Sequence, residues 1–224
     1  MKLTPEASKK KLEKGEKPTR NFGSVLKVKE GQQVSDEQLH KMATDAHVWA
    51  NQQEGKPVGV TTAGTDGKEV IIETSQTGGK PRYQAKTSDG QDKYPDTAGY
   101  VAGAEKTWEK EGKVPATHGN EARCGEINTM CTWEDRNKGK KIEDANYRMV
   151  SVHDKPDTKE KLKNGETYSA DHVEMYAPCD GRPGEKFGKG GCKTVTDAEH
   201  AKINIVKPDV GKEDYNAEHF TPAN

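Results

Sequence analysis

The chain has 224 residues, 29% of them hydrophobic and 33% charged, with a mean hydropathy of -1.10 and a formal net charge of -1. Near-zero charge leaves no global field to draw the chain to nucleic acid or membrane, and no apolar run approaches the roughly 20 residues that span a bilayer. The basic N-terminus, MKLTPEASKKKLEKGEKPTR, lacks the apolar stretch of a signal peptide.

Residues 1–34 are rich in Lys, Glu, Gly and Pro without apolar periodicity, which predicts a flexible basic tail or linker ahead of one domain over 35–224. The segment 35–54 predicts a helix. Ser35 and Gln38 have capping-box spacing, and Leu39, Met42, Ala43, Ala46, Trp49 and Ala50 share one face. His40 and His47 on this helix are expected at its surface or boundary rather than as ligands. Residues 57–76 predict a hairpin: Val58, Val60 and Thr62 alternate, a turn carries Gly64, Asp66 and Gly67, and EVIIET returns. Residues 78–96 read as loop, with a strand remnant around Tyr83 as the alternative. A short helix follows, with Val101, Ala104 and Trp108 on one face.

The next segment, HGNEARCGEINTMC, gives a third helix starting near Asn120, with Ile127, Met130, Cys131 and Glu134 at helical spacing. Trp133 reads as core and Cys131 as a small buried apolar residue. NYRMVSVHD alternates as a strand, and KPDTKEKLKNGET is a polar connection. SADHVEMYAPCDG is a second strand candidate ending at Pro178-Cys179, and a glycine-rich loop leads to Cys192. KTVTDAEH predicts a short helix and AKINIVKP a final strand. Helices interleaved with β-branched strands predict an α/β fold, a mixed β-sheet flanked by helices.

All four cysteines, Cys124, Cys131, Cys179 and Cys192, lie in the C-terminal half, which suggests one local site. On a continuous helix, Cys124 and Cys131 are separated by ~10.5 Å of rise. A disulfide needs Cα atoms within about 7 Å, and two thiolates on one zinc need comparable closeness. Three candidates for one metal remain: Cys124, Cys179 and Cys192. Three protein ligands and an open position is the pattern of a catalytic zinc, whose bound water is acidified. Three thiolates weaken that acidification, so an acid must help to move protons. Glu126, two residues after Cys124, is placed for this role.

Cys124-Gly125-Glu126 on a helix start, then Pro178-Cys179, then Cys192, resembles the zinc deaminases acting on nucleobases, whose signature is [HC]-x-E followed by P-C-x-x-C. The order of elements over residues 35–206 also fits that cytidine deaminase-like superfamily. The form with Cys in place of His looks like the deaminase toxins of bacterial polymorphic toxin systems, particularly the YwqJ-like branch. The resemblance implies that Cys124, Cys179 and Cys192 hold zinc. Glu126 would then shuttle protons as water attacks C4 of cytosine or C6 of adenine and ammonia leaves. It also implies a nucleic-acid or nucleotide substrate, a cognate immunity protein, and secretion without a signal peptide to act in a target-cell cytoplasm, with a cytoplasmic protein as the alternative.

Two departures stand out. Twelve residues separate Cys179 from Cys192 where the family has two, and the stretch from Cys124 to Cys179 is long. Loop closure costs only ~0.6 kcal/mol per doubling of length, so insertions of this kind leave ligands in reach. The 180–191 insert carries Arg182, Lys186, Phe187 and Lys189, a pattern that suits single-stranded nucleic acid or an exposed loop. His118 does not fit the signature, which would require Glu where Asn120 stands. Asn120 is left to orient a base or to cap the helix. Competing readings are a binding module with a structural zinc completed by His118 or His200, and a secreted domain with disulfides Cys124–Cys179 and Cys131–Cys192. A metal-free nuclease using His118 and a lysine has only proximity behind it.

Overall fold

The computed structural model describes residues 4–7, 20–53, 58–113, 116–118, 121–179 and 190–223. Among these, eight strands form one mixed sheet, flanked by helices. The strands are β1 (Thr4–Ala7), β2 (Arg20–Val28), β3 (Thr61–Thr65), β4 (Glu69–Thr74), β5 (Arg148–Asp154), β6 (Val173–Tyr176), β7 (Asn204–Ile205) and β8 (Phe220–Pro222). The sheet order is β1-β2-β4-β3-β5-β6, with β8 on β2 and β7 on β5. The β5–β7 pair is parallel and all the others are antiparallel. The helices are α1 (Asp36–Asn51), α2 (Pro95–Lys110), α3 (Gly125–Arg136), α4 (Thr158–Lys163) and α5 (Cys192–Thr196).

The period of two along each strand divides the interior into two cores. Val70, Ile72, Val150 and Val152 face α1, where they meet Leu39, Met42, Ala43 and Ala46. Ile71 and Met149 face the other way, onto Trp108 of α2, Ile127 and Met130 of α3, and Val195 of α5. Full burial of one such Leu, Ile or Met side chain contributes ~1.5–3 kcal/mol.

Several expected elements form where the sequence places them. α1 begins with the capping box: the Ser35 hydroxyl accepts from the Gln38 N–H at 3.1 Å, and the Gln38 side chain accepts from the Ser35 N–H at 3.3 Å. The β3–β4 hairpin forms and turns at Asp66-Gly67, but β3 starts only at Thr61, after Val58 and Val60, and Gly64 lies within the strand, paired with Ile71, rather than in the turn. At the turn the Asp66 carboxylate accepts from the N–H groups of Lys68 and Glu69, and Gly67 takes a φ of 86°. α2 opens on Pro95, and Val101, Ala104 and Trp108 are buried along it.

Other expectations change. The flexible tail expected over 1–34 instead contributes β2, which pairs with β4 from Gly23↔Glu73 to Lys27↔Glu69. Its alternation is real but diluted: Phe22, Leu26 and Val28 face α1, while Gly23 lies under the Glu73 carboxylate, where a Cβ would sit 2.8 Å from Oε2. α3 starts at Gly125 rather than near Asn120, because Glu121 and Ala122 hold φ of 51° and 52°, outside the helical region. Asn120 itself lies outside the described residues. The polar connection after β5 contains α4, and the final strand shrinks to the two residues of β7.

The two α1 histidines, expected at the surface or boundary, are buried. His47 Nδ1 pairs with the Thr61 hydroxyl at 2.9 Å, and His47 Nε2 lies 3.2 Å from Asp154 Oδ1. Asn51 and Tyr168 complete this network, the tyrosine donating to Asp154. His40 Nδ1 faces the carbonyls of Val210 and Gly211, which tie the C-terminal segment across α1.

Candidate metal centre

Cys124 is the N-cap of α3 and Cys192 the first residue of α5, two helices on the same face of the sheet. Cys179 follows β6 and Pro178, and its carbonyl accepts from the Lys193 N–H at 3.2 Å, which ties it to the start of α5. Three residues distant in sequence thus converge. The spacing argument for Cys131 holds: it sits on the buried face of α3, outside the cluster, and burial pushes its thiol well above the usual range. Among the described residues no cysteines are bridged, so neither the Cys124–Cys179 nor the Cys131–Cys192 disulfide is formed.

A fourth donor joins the three thiols. One ligand atom from each of His118, Cys124, Cys179 and Cys192 lies within 4.8 Å of the others. His118 Nε2 is 3.2 Å from Cys192 Sγ and 4.0 Å from Cys124 Sγ. Motif spacing set His118 aside. The fold brings it in through a parallel bridge between His118 and Gly190, closed by the Gly190 N–H donating to the Thr117 carbonyl at 3.1 Å. Gly190 has to be glycine here, since a Cβ would enter the Trp108 ring. No linear spacing signals this contact. His200, the other histidine considered, pairs instead with Asp197 at 2.8 Å.

The donor set fits a zinc ion. Tetrahedral zinc with sulfur at ~2.3 Å places its ligand atoms about 3.8 Å apart, close to the spread found here. The protonation pattern agrees. Hydrogen bonds from Cys124 and Cys192 hold the Cys179 thiol far below its ordinary range, while hydrogen bonding to Cys179 pushes Cys124 up and hydrogen bonding to Cys124 and Cys179 pushes Cys192 up. Crowding thus opposes deprotonation of all three thiols together, and a bound cation would relieve that repulsion. Burial of His118 lowers its pKa, which leaves the imidazole neutral and able to ligate.

Glu126 lies beside this cluster and is 2% exposed. Its Oε2 is 3.8 Å from Cys192 Sγ, and its Oε1 accepts from the Ser151 hydroxyl at 2.9 Å. Ser151 in turn is 2.7 Å from Thr62 Oγ1. Because Ser151 gives its proton to Glu126, Thr62 must donate to Ser151. Burial, the leading cause, raises the Glu126 pKa to about 7. Gly125 makes the approach possible: a Cβ there would meet Thr62 Oγ1 at 2.6 Å and the Glu73 carbonyl at 3.0 Å. Ser151 and Thr62 had no signature in the sequence, as they are ordinary alternating positions on β5 and β3.

The register Ser151↔Tyr176 puts Tyr176 on the same face, where its ring stands 4.4 Å from that of His153. Trp133 packs against Tyr147 in the core, as the sequence suggested. Arg182, Lys186, Phe187 and Lys189 lie outside the described residues. Compared with known proteins, the chain matches no family model, no curated protein and no solved structure.

Proposed function

We propose that the protein is a zinc-dependent hydrolytic deaminase of a nucleobase, cytosine or adenine, in nucleic acid or nucleotide. The observation that carries this reading is the buried Glu126 carboxylate against the thiol cluster. A zinc held only for structure has no use for a buried carboxyl at its edge, whose burial costs free energy unless a function retains it. The order of elements supports the reading too. Hairpin β3–β4 precedes α3 with Cys124-Gly125-Glu126 at its start, Pro178-Cys179 follows β6, and Cys192 opens α5 ahead of β7.

Cys124, Cys179 and Cys192 would hold the zinc, which supplies the Lewis acidity that makes water nucleophilic near neutral pH. The chain's own residues handle the protons. Ser151, with Thr62 behind it, occupies Glu126 Oε1, so Oε2 is the oxygen left to take and return a proton. A carboxyl with a pKa near 7 is suited to both directions. Overall, water adds its oxygen to the ring carbon, the exocyclic amine leaves as ammonia, and Glu126 ends in its starting protonation state. Tyr176 and His153 offer an aromatic pair on the same face for a planar base. A toxin role, with an immunity protein as partner and delivery into a target cell, follows from the resemblance alone.

A second reading has its own observation: His118 supplies a fourth donor, and a Cys3His set is also that of structural zinc. The experiment that separates them is zinc analysis of Glu126→Gln together with sequencing of DNA and RNA exposed to it. Retained zinc with loss of C-to-T or A-to-G conversion supports the deaminase. Conversion at the wild-type rate overturns it. A wild-type protein with no conversion on DNA, RNA or free nucleotides leaves the structural-zinc module.

A further inference from the structure

We infer that His118 is an exchangeable fourth ligand, closing the zinc site in the folded protein and leaving it when a ligand enters. The inference rests on the zinc reading of the centre. A deaminase site needs a position for water, and the donor set as folded has none to spare.

Three differences set His118 apart from Cys124 and Cys192. The first is charge: the thiolates carry negative charge towards the cation, whereas imidazole is neutral and holds by its lone pair alone. The second is anchorage. Cys124 caps α3 and Cys192 opens α5, each held by a helix on the core. His118 lies outside helix and strand, where its contacts include an isolated bridge to Gly190, the Glu121 N–H donating to its carbonyl at 3.0 Å, and the edge of Trp108, with ring centroids 6.1 Å apart. The third is strain. Glu121 and Ala122, between His118 and Cys124, both hold the left-handed conformation that residues with a Cβ disfavour.

The geometry also says what exchange would do. His118 Nε2 contacts Cys192 Sγ at 3.2 Å, and Glu126 Oε2 contacts the same sulfur at 3.8 Å. Imidazole and carboxylate flank one ligand atom. When the ring moves away, the space it leaves adjoins the residue assigned to move protons.

Zinc-edge X-ray absorption of the zinc-loaded full-length protein tests the ligand set. Three sulfurs with one imidazole nitrogen are expected, and three sulfurs without imidazole scattering overturn the inference. Exchange is tested on cobalt-loaded wild type and His118→Gln, following the d–d bands during titration with azide. The variant should keep its cobalt and bind azide at least about tenfold more tightly, because a tenfold change means that only about a tenth of the wild-type sites are open. Equal azide affinity overturns exchange. So does loss of cobalt from His118→Gln, which would make the histidine a permanent ligand. None of these readouts uses deamination. If they come out as expected while neither protein converts any base, the functional reading fails and the role of His118 stands.

Discussion

The two faces of the sheet bury similar chemistry to different ends. Under α1, His47, Thr61, Asn51, Tyr168 and Asp154 form a network in which each member has a partner. Under α3 and α5, three thiols and an imidazole bring their ligand atoms within 4.8 Å of one another, beside a buried carboxyl whose pKa burial raises to about 7. The first set is complete as folded and gains nothing from a ligand. The second is a donor set that could hold a cation. Histidine and acid in contact do not by themselves mark a site; several converging ligand atoms do.

The largest effect expected from breaking this contrast is on the α3 face. Glu126→Gln should lower deamination by roughly 10²–10⁴-fold, the usual worth of a positioned general acid/base, with zinc content unchanged by metal analysis. Next comes Ser151→Ala, which frees Oε1. A loss of roughly 10–100-fold in kcat with little change in KM is expected, as for partners that orient a working group. Ser151→Thr should recover most of it, which a purely packing role for Ser151 would not predict.

The α1 face should answer in stability instead. His47→Ala leaves Thr61 and Asp154 without their shared partner, and urea unfolding should show a loss of about 1–3 kcal/mol. Zinc content and kcat should not move. If zinc is lost as well, the two faces are not independent.

The smallest effect concerns pH at the same face. Burial lowers the His40 pKa below its ordinary 6.5, and the nearby Lys212 opposes its protonation further. The unfolded chain therefore takes up a proton before the folded one. Stability is fully present above pH 6.5 and falls as the pH drops through the folded value. His40→Gln should flatten that decline, seen as a Tm difference of no more than about 2–4 °C between neutral and mildly acid buffer. An unchanged slope would remove His40 from the account.

Much of the fold is legible wherever a short-range rule acts. The Ser35/Gln38 capping box, the Asp66-Gly67 turn and the Val101, Ala104, Trp108 stripe each depend on residues within a few positions of one another. The same holds for half of the site. Cys124 and Glu126 sit two apart on a helix start, and the rise of a helix separates Cys131 from Cys124. β2 was not legible, because its inward positions include Gly23, whose fitness comes from Glu73 on a neighbouring strand. Nor was the burial of His47, which depends on Asp154 across the sheet.

Short-range rules along the chain suffice for the local elements, the exclusion of Cys131 and the candidacy of Cys124, Cys179, Cys192 and Glu126. That His118 joins the thiols and that Ser151 and Thr62 hold Glu126 follows from the assembled fold alone. These are contacts between strands, bridges and loops far apart in the chain. They are set by the register Thr62↔Ser151 and by the bridge at Gly190, and no spacing along the chain encodes them.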